Sequence, residues 1–173
     1  KGIKEDIDVL SLTATPIPRT LSSALSEIKD MSIINTPPIG RKNIVTNIIE
    51  RSDTLIGQYI DREINRGGQV LFVHNNIDTM DEEINFIKKI NNKYKIEKVH
   101  GRLTNKEIEM IMSNFINEKI DILICTSIVE SGLDMANVNT IIINNAQNFG
   151  LSQLHQIRGR VGRSNKQAYA GII

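Results

Sequence analysis

Apolar residues in this chain gather in short unbroken runs separated by longer amphipathic stretches. Val70-Leu71-Phe72-Val73, Ile122-Leu123-Ile124 and Thr140-Ile141-Ile142-Ile143 lack the period-two alternation of a half-exposed strand. Such runs mark strands buried on both faces of a parallel sheet. Met80, Ile84, Ile87 and Ile90 recur at helical spacing, giving a helix over 78–92 one apolar face to lay against that sheet. The pattern predicts strand 44–49, helix 53–66 stopped at Gly67-Gly68, strand 69–74, helix 78–92, strand 95–99, helix 104–117, strand 121–125, strand 138–143, helix 151–158 and strand 168–172. This alternation implies an α/β fold: a doubly wound, mostly parallel sheet with helices on both faces.

Upstream, residues 9–13 (Val-Leu-Ser-Leu-Thr) predict a short buried strand. The turn Ala14-Thr15-Pro16-Ile17-Pro18 and a helix of about ten residues from Arg19 follow, with Pro18 suited to the first helical turn. After an apolar run at Met31 to Ile34 comes Thr36-Pro37-Pro38-Ile39-Gly40-Arg41-Lys42, which cannot continue a helix or a central strand. A domain boundary is expected there, with residues 1–36 as one piece, 37–43 as linker and 44–173 as the α/β domain. No internal repeat or low-complexity tract is visible, and the abundant Ile, Asn and Lys are most simply codon bias.

A length of 173 residues with 40% hydrophobic and 24% charged residues suits one compact domain with a substantial core. Lys+Arg 21 against Asp+Glu 20 leaves no bulk positive field, so any nucleic-acid site must be a local basic patch. The single cysteine, Cys125, sits in an apolar run and is expected to be packed in the core; a disulfide framework is excluded and a reducing compartment is the simpler assumption. No apolar stretch approaches the ~20 residues of a membrane-spanning helix. The first residues, Lys1-Gly2-Ile3-Lys4-Glu5-Asp6, lack the apolar segment of a secretory signal. The chain therefore reads as soluble and intracellular. Its start without Met and its end on the strand-like Ala168-Tyr169-Ala170-Gly171-Ile172-Ile173 are those expected of a piece of a longer protein.

Three constellations could carry chemistry. Gln153-Leu154-His155-Gln156-Ile157-Arg158-Gly159-Arg160-Val161-Gly162-Arg163-Ser164 interleaves arginines with glycines. Guanidinium forks match phosphate oxygens and glycine lets the backbone approach an anion, a pairing suited to polyphosphate. The plainer alternative is a solvated basic turn at a helix C-terminus. Thr126-Ser127-Ile128-Val129-Glu130-Ser131-Gly132-Leu133-Asp134 follows a predicted strand. Open α/β sheets bind ligands at that end, although Asp134 capping a turn and Gly132 supplying positive φ would account for the same residues. Val99-His100-Gly101-Arg102-Leu103-Thr104 also ends a strand and opens a helix, with Thr104 and Glu107 spaced as a capping box. No histidine pairs at ligand spacing with Cys125 or a carboxylate, so no metal site is expected and His100 is read as packed or backbone-contacting.

Two absences count as well. No G-x-x-x-x-G-K-[ST] phosphate loop occurs in the 173 residues, so the chain alone has no ATP cradle. Asp81-Glu82-Glu83-Ile84 superficially resembles an acidic magnesium-binding motif, but it lies inside an amphipathic helix and reads as a solvated face.

In order along the chain, Thr13-Ala14-Thr15-Pro16, Gln69-Val70-Leu71-Phe72-Val73, His100-Gly101-Arg102, Thr126 with Gly132-Leu133-Asp134, and Gln156 with Gly159-Arg160 and Gly162-Arg163 resemble motifs III to VI of superfamily 2 helicases. Each motif is weak alone, and five in register are strong. Thr13 to Leu21 and Phe149 to Ser164 resemble the RecG-type double-stranded DNA translocases more closely. Ser32-Ile33-Ile34-Asn35-Thr36-Pro37-Pro38 and Gln167-Ala168-Tyr169-Ala170 resemble the bacterial branch that couples transcription to repair.

The resemblance implies a RecA-like second motor lobe over 44–173, preceded in 1–36 by the motif III tail of the first lobe. It implies ATP with Mg2+, held mainly by that other lobe, and double-stranded DNA as partner. It assigns Arg160 and Arg163 as arginine fingers to the γ-phosphate, Gln156 beside the nucleotide, and Gly132 and Asp134 near the ribose. His74, Asn75, His100, Gly101, Arg102 and Thr126 would face the DNA backbone, with Arg19 near DNA and Thr13 and Thr15 coupling the lobes. Many relatives follow the His-Gly motif with Gln-x-x-Arg; here those positions are Asn105 and Ile108, so any contact made by that Arg is missing. The implied function is displacement of stalled RNA polymerase in the bacterial cytoplasm, with excision-repair proteins as further partners through regions outside this chain. The isolated chain is expected not to hydrolyse ATP. A RecG-type fork-regression helicase and a non-catalytic DNA-binding or docking lobe are the alternatives.

Overall fold

The computed structural model describes residues 32–34, 36, 42–126 and 135–173. The strand expected at 9–13, the turn and helix after it, most of the linker and the motif segment 127–134 lie outside the described residues. The chain divides into two units, Lys1–Thr36 and Pro37–Ile173, and the second holds nearly everything described.

That second unit is a six-stranded, wholly parallel sheet. Its elements run β1 (Val45–Ile48), α1 (Asp53–Asn65), β2 (Gln69–His74), α2 (Met80–Ile90), β3 (Ile96–Val99), α3 (Asn105–Ile116), β4 (Ile122–Cys125), β5 (Val138–Asn144), α4 (Leu151–Arg158) and β6 (Tyr169–Ile172). Across the sheet the order is β1-β6-β5-β2-β4-β3. The expected doubly wound architecture is present, and the unbroken apolar runs are its interior strands, buried at every position of β2, β4 and β5.

Each run splits by side-chain parity into two cores. Val70, Phe72, Ile122, Ile124 and Ile142 face Ile56, Tyr59 and Ile60 of α1 and Met80 and Ile87 of α2. Leu71, Val73, Leu123, Cys125, Ile141 and Ile143 face Met112 and Phe115 of α3 and Ile157 of α4. Cys125 is fully buried, and desolvation raises its thiol pKa far above the ordinary range.

Helix ends follow from local chemistry. Ser52 caps α1 by accepting from the Leu55 N–H (3.1 Å), and Gly67, at φ +71°, turns the chain out after it. A Cβ on Gly68 would lie 1.8 Å from Glu63 Oε1, so this position needs glycine. Glu63 is fully buried; it accepts from the Thr140 hydroxyl and pairs with Arg66, whose Nη1 also donates to the Gln167 carbonyl (2.7 Å). The helix expected from residue 78 instead begins at Met80, because Asn76 first caps a single 3-10 turn at Ile77–Thr79. It ends at Ile90, short of 92, where extended Asn91 turns its side chain to the Lys93 N–H (3.0 Å). The capping box of Thr104 and Glu107 forms as expected, and those hydrogen bonds lower the Glu107 pKa.

Candidate nucleic-acid and nucleotide interface

All six strands being parallel, their carboxyl ends share one edge, and the sequence motifs at strand ends meet there. This edge gathers His74 and Asn75 after β2, His100, Gly101 and Arg102 after β3, and Thr126 after β4. β3 and β4 are neighbours in register, Val99 opposite Cys125, so His100 and Thr126 are side by side. Both are buried, at 8% and 5% exposure, and among the described residues neither His100 Nδ1 nor Thr126 Oγ1 has a hydrogen-bond partner. An orphaned buried polar atom costs ~1–3 kcal/mol, which makes two adjacent ones at a strand-end edge a candidate site. Beside them α3 presents the positive end of its dipole. Exposed Arg102 pairs with Asp78, and Lys98 binds both oxygens of Asp81 (2.6 and 2.7 Å).

His74 is placed differently from Asn75. Asn75 is exposed, whereas the His74 ring is 3% exposed and engaged by side chains of the interior. Its Nδ1 is 3.0 Å from Asn144 Nδ2 and its Nε2 is 2.7 Å from Thr79 Oγ1. Asn144 Oδ1 in turn accepts from Arg51 Nη1 (3.0 Å), and Arg51 Nη2 donates to Glu83 Oε2 (2.9 Å). The expectation of a solvated acidic face on α2 is corrected here: Asp81 and Glu82 are exposed, but Glu83 is 5% exposed and engaged with Arg51. Residue 83 falls on the same helical stripe as Met80 and Ile87, and Arg51 makes its burial tolerable. Desolvation lowers the His74 pKa from its ordinary value; Glu83 opposes that shift and Arg51 adds to it. Arg51, Glu83 and Asn144 were not anticipated from sequence.

The arginine-rich segment forms a separate loop between α4 and β6. Val161 is fully buried, and Gly162 adopts φ +79° where a Cβ would meet Ala168 at 3.1 Å and Ile44 at 3.4 Å. Ser164 Oγ donates to Asn139 Oδ1 (2.6 Å), and Asn139 is fully buried. The loop backbone is thus pinned on both sides of Gly162, with Arg160 half-buried and Arg163 exposed; Gln156 is exposed on α4. The arginine loop enters β6 at its amino end, so the structure does not bring it together with the strand-end set. Gly132, Asp134, Thr13, Thr15 and Arg19 lie outside the described residues. Among the described residues no helix is long and apolar enough to cross a membrane.

Residues 47–165 match the family described as helicase conserved C-terminal domain. Over its whole length the chain is 50% identical to a transcription-repair-coupling factor of Buchnera aphidicola subsp. Baizongia pistaciae (strain Bp), covering 25% of that protein. It is 42% identical, again over its whole length, to the transcription-repair-coupling factor of Escherichia coli (strain K12), covering 15% of it. Among solved structures, RecG bound to a three-way DNA junction superposes with a TM-score of 0.76 at 35% identity, over 92% of this chain and 22% of that one. The chain spans a quarter or less of the length of these curated relatives. Its RecA-like sheet, the order of its motifs and the match over 47–165 agree: the chain belongs to the helicase conserved C-terminal domain family and is similar throughout to transcription-repair-coupling factors.

Proposed function

We propose that this chain is the second motor lobe, with residues 1–36 the motif III tail of the first, of an ATP-dependent translocase on double-stranded DNA that displaces stalled RNA polymerase and couples transcription to nucleotide excision repair. The observation that carries this reading is the 42–50% identity to transcription-repair-coupling factors along the entire chain. The site chemistry supports it. His100 Nδ1, in the tautomer that protonates it, and the Thr126 hydroxyl are two donors lacking an acceptor, which a backbone phosphate would supply. Gly101 allows close approach, and exposed Asn75 and Arg102 extend the same row, a set that fixes register on DNA without reading sequence.

Arg160 and Arg163 act as the finger pair, on a loop whose pinned backbone pre-sets their positions. When bound by the other lobe, ATP with Mg2+ supplies the phosphoryl group whose developing charge these guanidinium groups offset. Gln156 lies beside the nucleotide, Gly132 and Asp134 near the ribose; Thr13 and Thr15 couple the lobes and Arg19 lies near DNA. RNA polymerase and excision-repair proteins bind regions outside this chain, in the bacterial cytoplasm.

The test is release of a stalled RNA polymerase by the intact protein with ATP, alongside a model replication fork. ATP-dependent polymerase release is expected. The structural likeness to RecG at 35% identity makes fork regression without release the outcome that moves the assignment to that class. Neither activity would leave a docking lobe. The 173-residue chain by itself, lacking a phosphate loop, is expected to show no DNA-stimulated ATP turnover above a blank; a clear signal from the purified chain would refute that.

A further inference from the structure

We propose that Arg51, Asn144, His74 and Thr79 form a positioning relay that sets the Asn75–Asn76 loop for contact with the DNA backbone, so that the buried Asn144 governs how tightly the intact protein holds DNA. The inference rests on the proposed DNA-translocase reading and gives His74 a role its buried ring can perform.

The hydrogen bonds run in one direction. Arg51 donates to Asn144 Oδ1 (3.0 Å), which fixes the amide so that Nδ2 points to His74 Nδ1 (3.0 Å). Nδ1 must then accept, leaving Nε2–H to donate to Thr79 Oγ1 (2.7 Å), whose hydroxyl donates to the Asn76 carbonyl (3.4 Å). The relay therefore starts beyond β1, crosses β5 and β2, and ends on the loop backbone that follows β2. Asn76 is held twice more, its carbonyl accepting also from the Thr79 backbone N–H (3.4 Å) and its side chain from the Asp78 N–H (3.1 Å). Exposed Asn75 sits between the fixed ring and the fixed carbonyl.

Its location argues for more than stability. β2 and β5 are adjacent, yet the chain leaves β2 for α2 on one face and β5 for α4 on the other, the switch point at which open α/β sheets bind ligands. Asn145, directly after Asn144, takes the left-handed conformation at φ 54°, which asparagine adopts readily, and turns the chain out of β5. Buried polar groups of this kind are often replaceable by apolar ones without loss of stability, which is consistent with a role in fixing geometry. The charged groups facing the ring are Glu83 and Glu82 from α2 and Arg51 after β1. Burial keeps the ring neutral at pH 7, as the acceptor role of Nδ1 requires.

Two variants of the intact protein test this, read as the concentration of duplex DNA giving half-maximal ATP turnover. Thr79→Val removes the last link with little change of shape and is expected to raise that concentration about tenfold, equivalent to one lost hydrogen bond of ~1.4 kcal/mol. Turnover at saturating DNA should stay within about twofold, since an error in positioning alone weakens the grip and spares the chemistry. Asn144→Asp keeps the acceptor for Arg51 but replaces the donor with an acceptor. A neutral His74 ring meets it only as the Nδ1–H tautomer, which makes Nε2 an acceptor and takes the Thr79 hydroxyl from the Asn76 carbonyl, so only the protonated ring donates at both nitrogens and keeps the relay whole. Its grip on DNA should therefore strengthen from pH 8 to pH 6, whereas the wild type, its His74 ring kept neutral by burial, gains nothing at this site over the same range; a merely structural asparagine would not create that difference in slope. Unchanged half-saturation in Thr79→Val, or parallel pH slopes in Asn144→Asp and wild type, would overturn the relay. Absence of DNA stimulation in the wild type would instead overturn the functional reading beneath it.

Discussion

Arg163→Ala in the intact protein is expected to cut DNA-stimulated ATP turnover by about 10³-fold or more, the range in which arginine fingers act on phosphoryl transfer. The size follows from what the loop leaves intact. Val161 stays buried, Gly162 keeps its positive φ, and Ser164 keeps its bond to Asn139, so the anchors of the loop backbone do not depend on the residue replaced. Duplex affinity, which the proposed function assigns to the opposite edge of the sheet, should remain within about twofold by this separation of sites. Arg163→Lys should recover only part of the rate, because an ammonium lacks the planar fork that grips two phosphate oxygens. Steady-state turnover with saturating duplex is the measurement; a loss smaller than tenfold would remove Arg163 from the catalytic role. The same variant should fail to release stalled polymerase.

The second large effect is on folding. Arg66→Ala leaves the fully buried carboxylate of Glu63 its bond from the Thr140 hydroxyl but takes away its counter-charge, together with the guanidinium's bridge to the Gln167 carbonyl. Removing one partner of a buried ion pair costs ~3–5 kcal/mol; Arg66, with its side chain 25% exposed, places this pair at the lower end. About 3 kcal/mol is a factor of ~150 in the folding equilibrium. Glu63→Gln in the Arg66→Ala background should recover most of that loss, since an amide of the same shape needs no counter-charge against Gly68. Urea unfolding of the two single variants and the double variant gives the coupling directly. A double variant as unstable as Arg66→Ala would show that the stem packing of Arg66, and not its charge, was the stabilising contact.

The interior of the fold was legible because burial on both faces writes itself into sequence as an unbroken apolar run, and β2, β4 and β5 fall where those runs do. Edge strands β1 and β3 were found with ends shifted by a residue, since Val-Thr-Asn-Ile and Ile-Glu-Lys-Val carry no such run and rest on their partners. The Thr104–Glu107 box was readable because both halves lie within one turn. The start of α2 was misplaced because Asn76, a good cap for either, introduced a 3-10 turn first. Glu83 shows the deeper limit. Helical spacing put it on the core stripe, but its charge argued for solvent, and the residue that lets it stay buried, Arg51, lies 32 positions earlier. Asn144 is 93 positions from Arg51 and 70 from His74, so only the sheet order brings them together. The strand-end candidates were recoverable from motif position alone; which of them are orphaned, and which are satisfied inside, required coordinates.

The pairing of β1 has a bearing on how the lobe comes into being. β1, the first of the six described strands, has β6, the last of them, as its partner, with Val45 opposite Tyr169 and Ile48 opposite Ile172, so it must wait for a strand made more than a hundred residues later. During synthesis the β2-β4-β3 portion can assemble while β1 remains unpaired and the β5 edge stays open. Closing a loop of that length costs entropy before any contact repays it, and such non-local pairing sets a slow final step. A ribosome stalled before Ala168 would therefore release a lobe with an open, apolar parallel edge, the kind of surface that recruits chaperones or neighbouring chains.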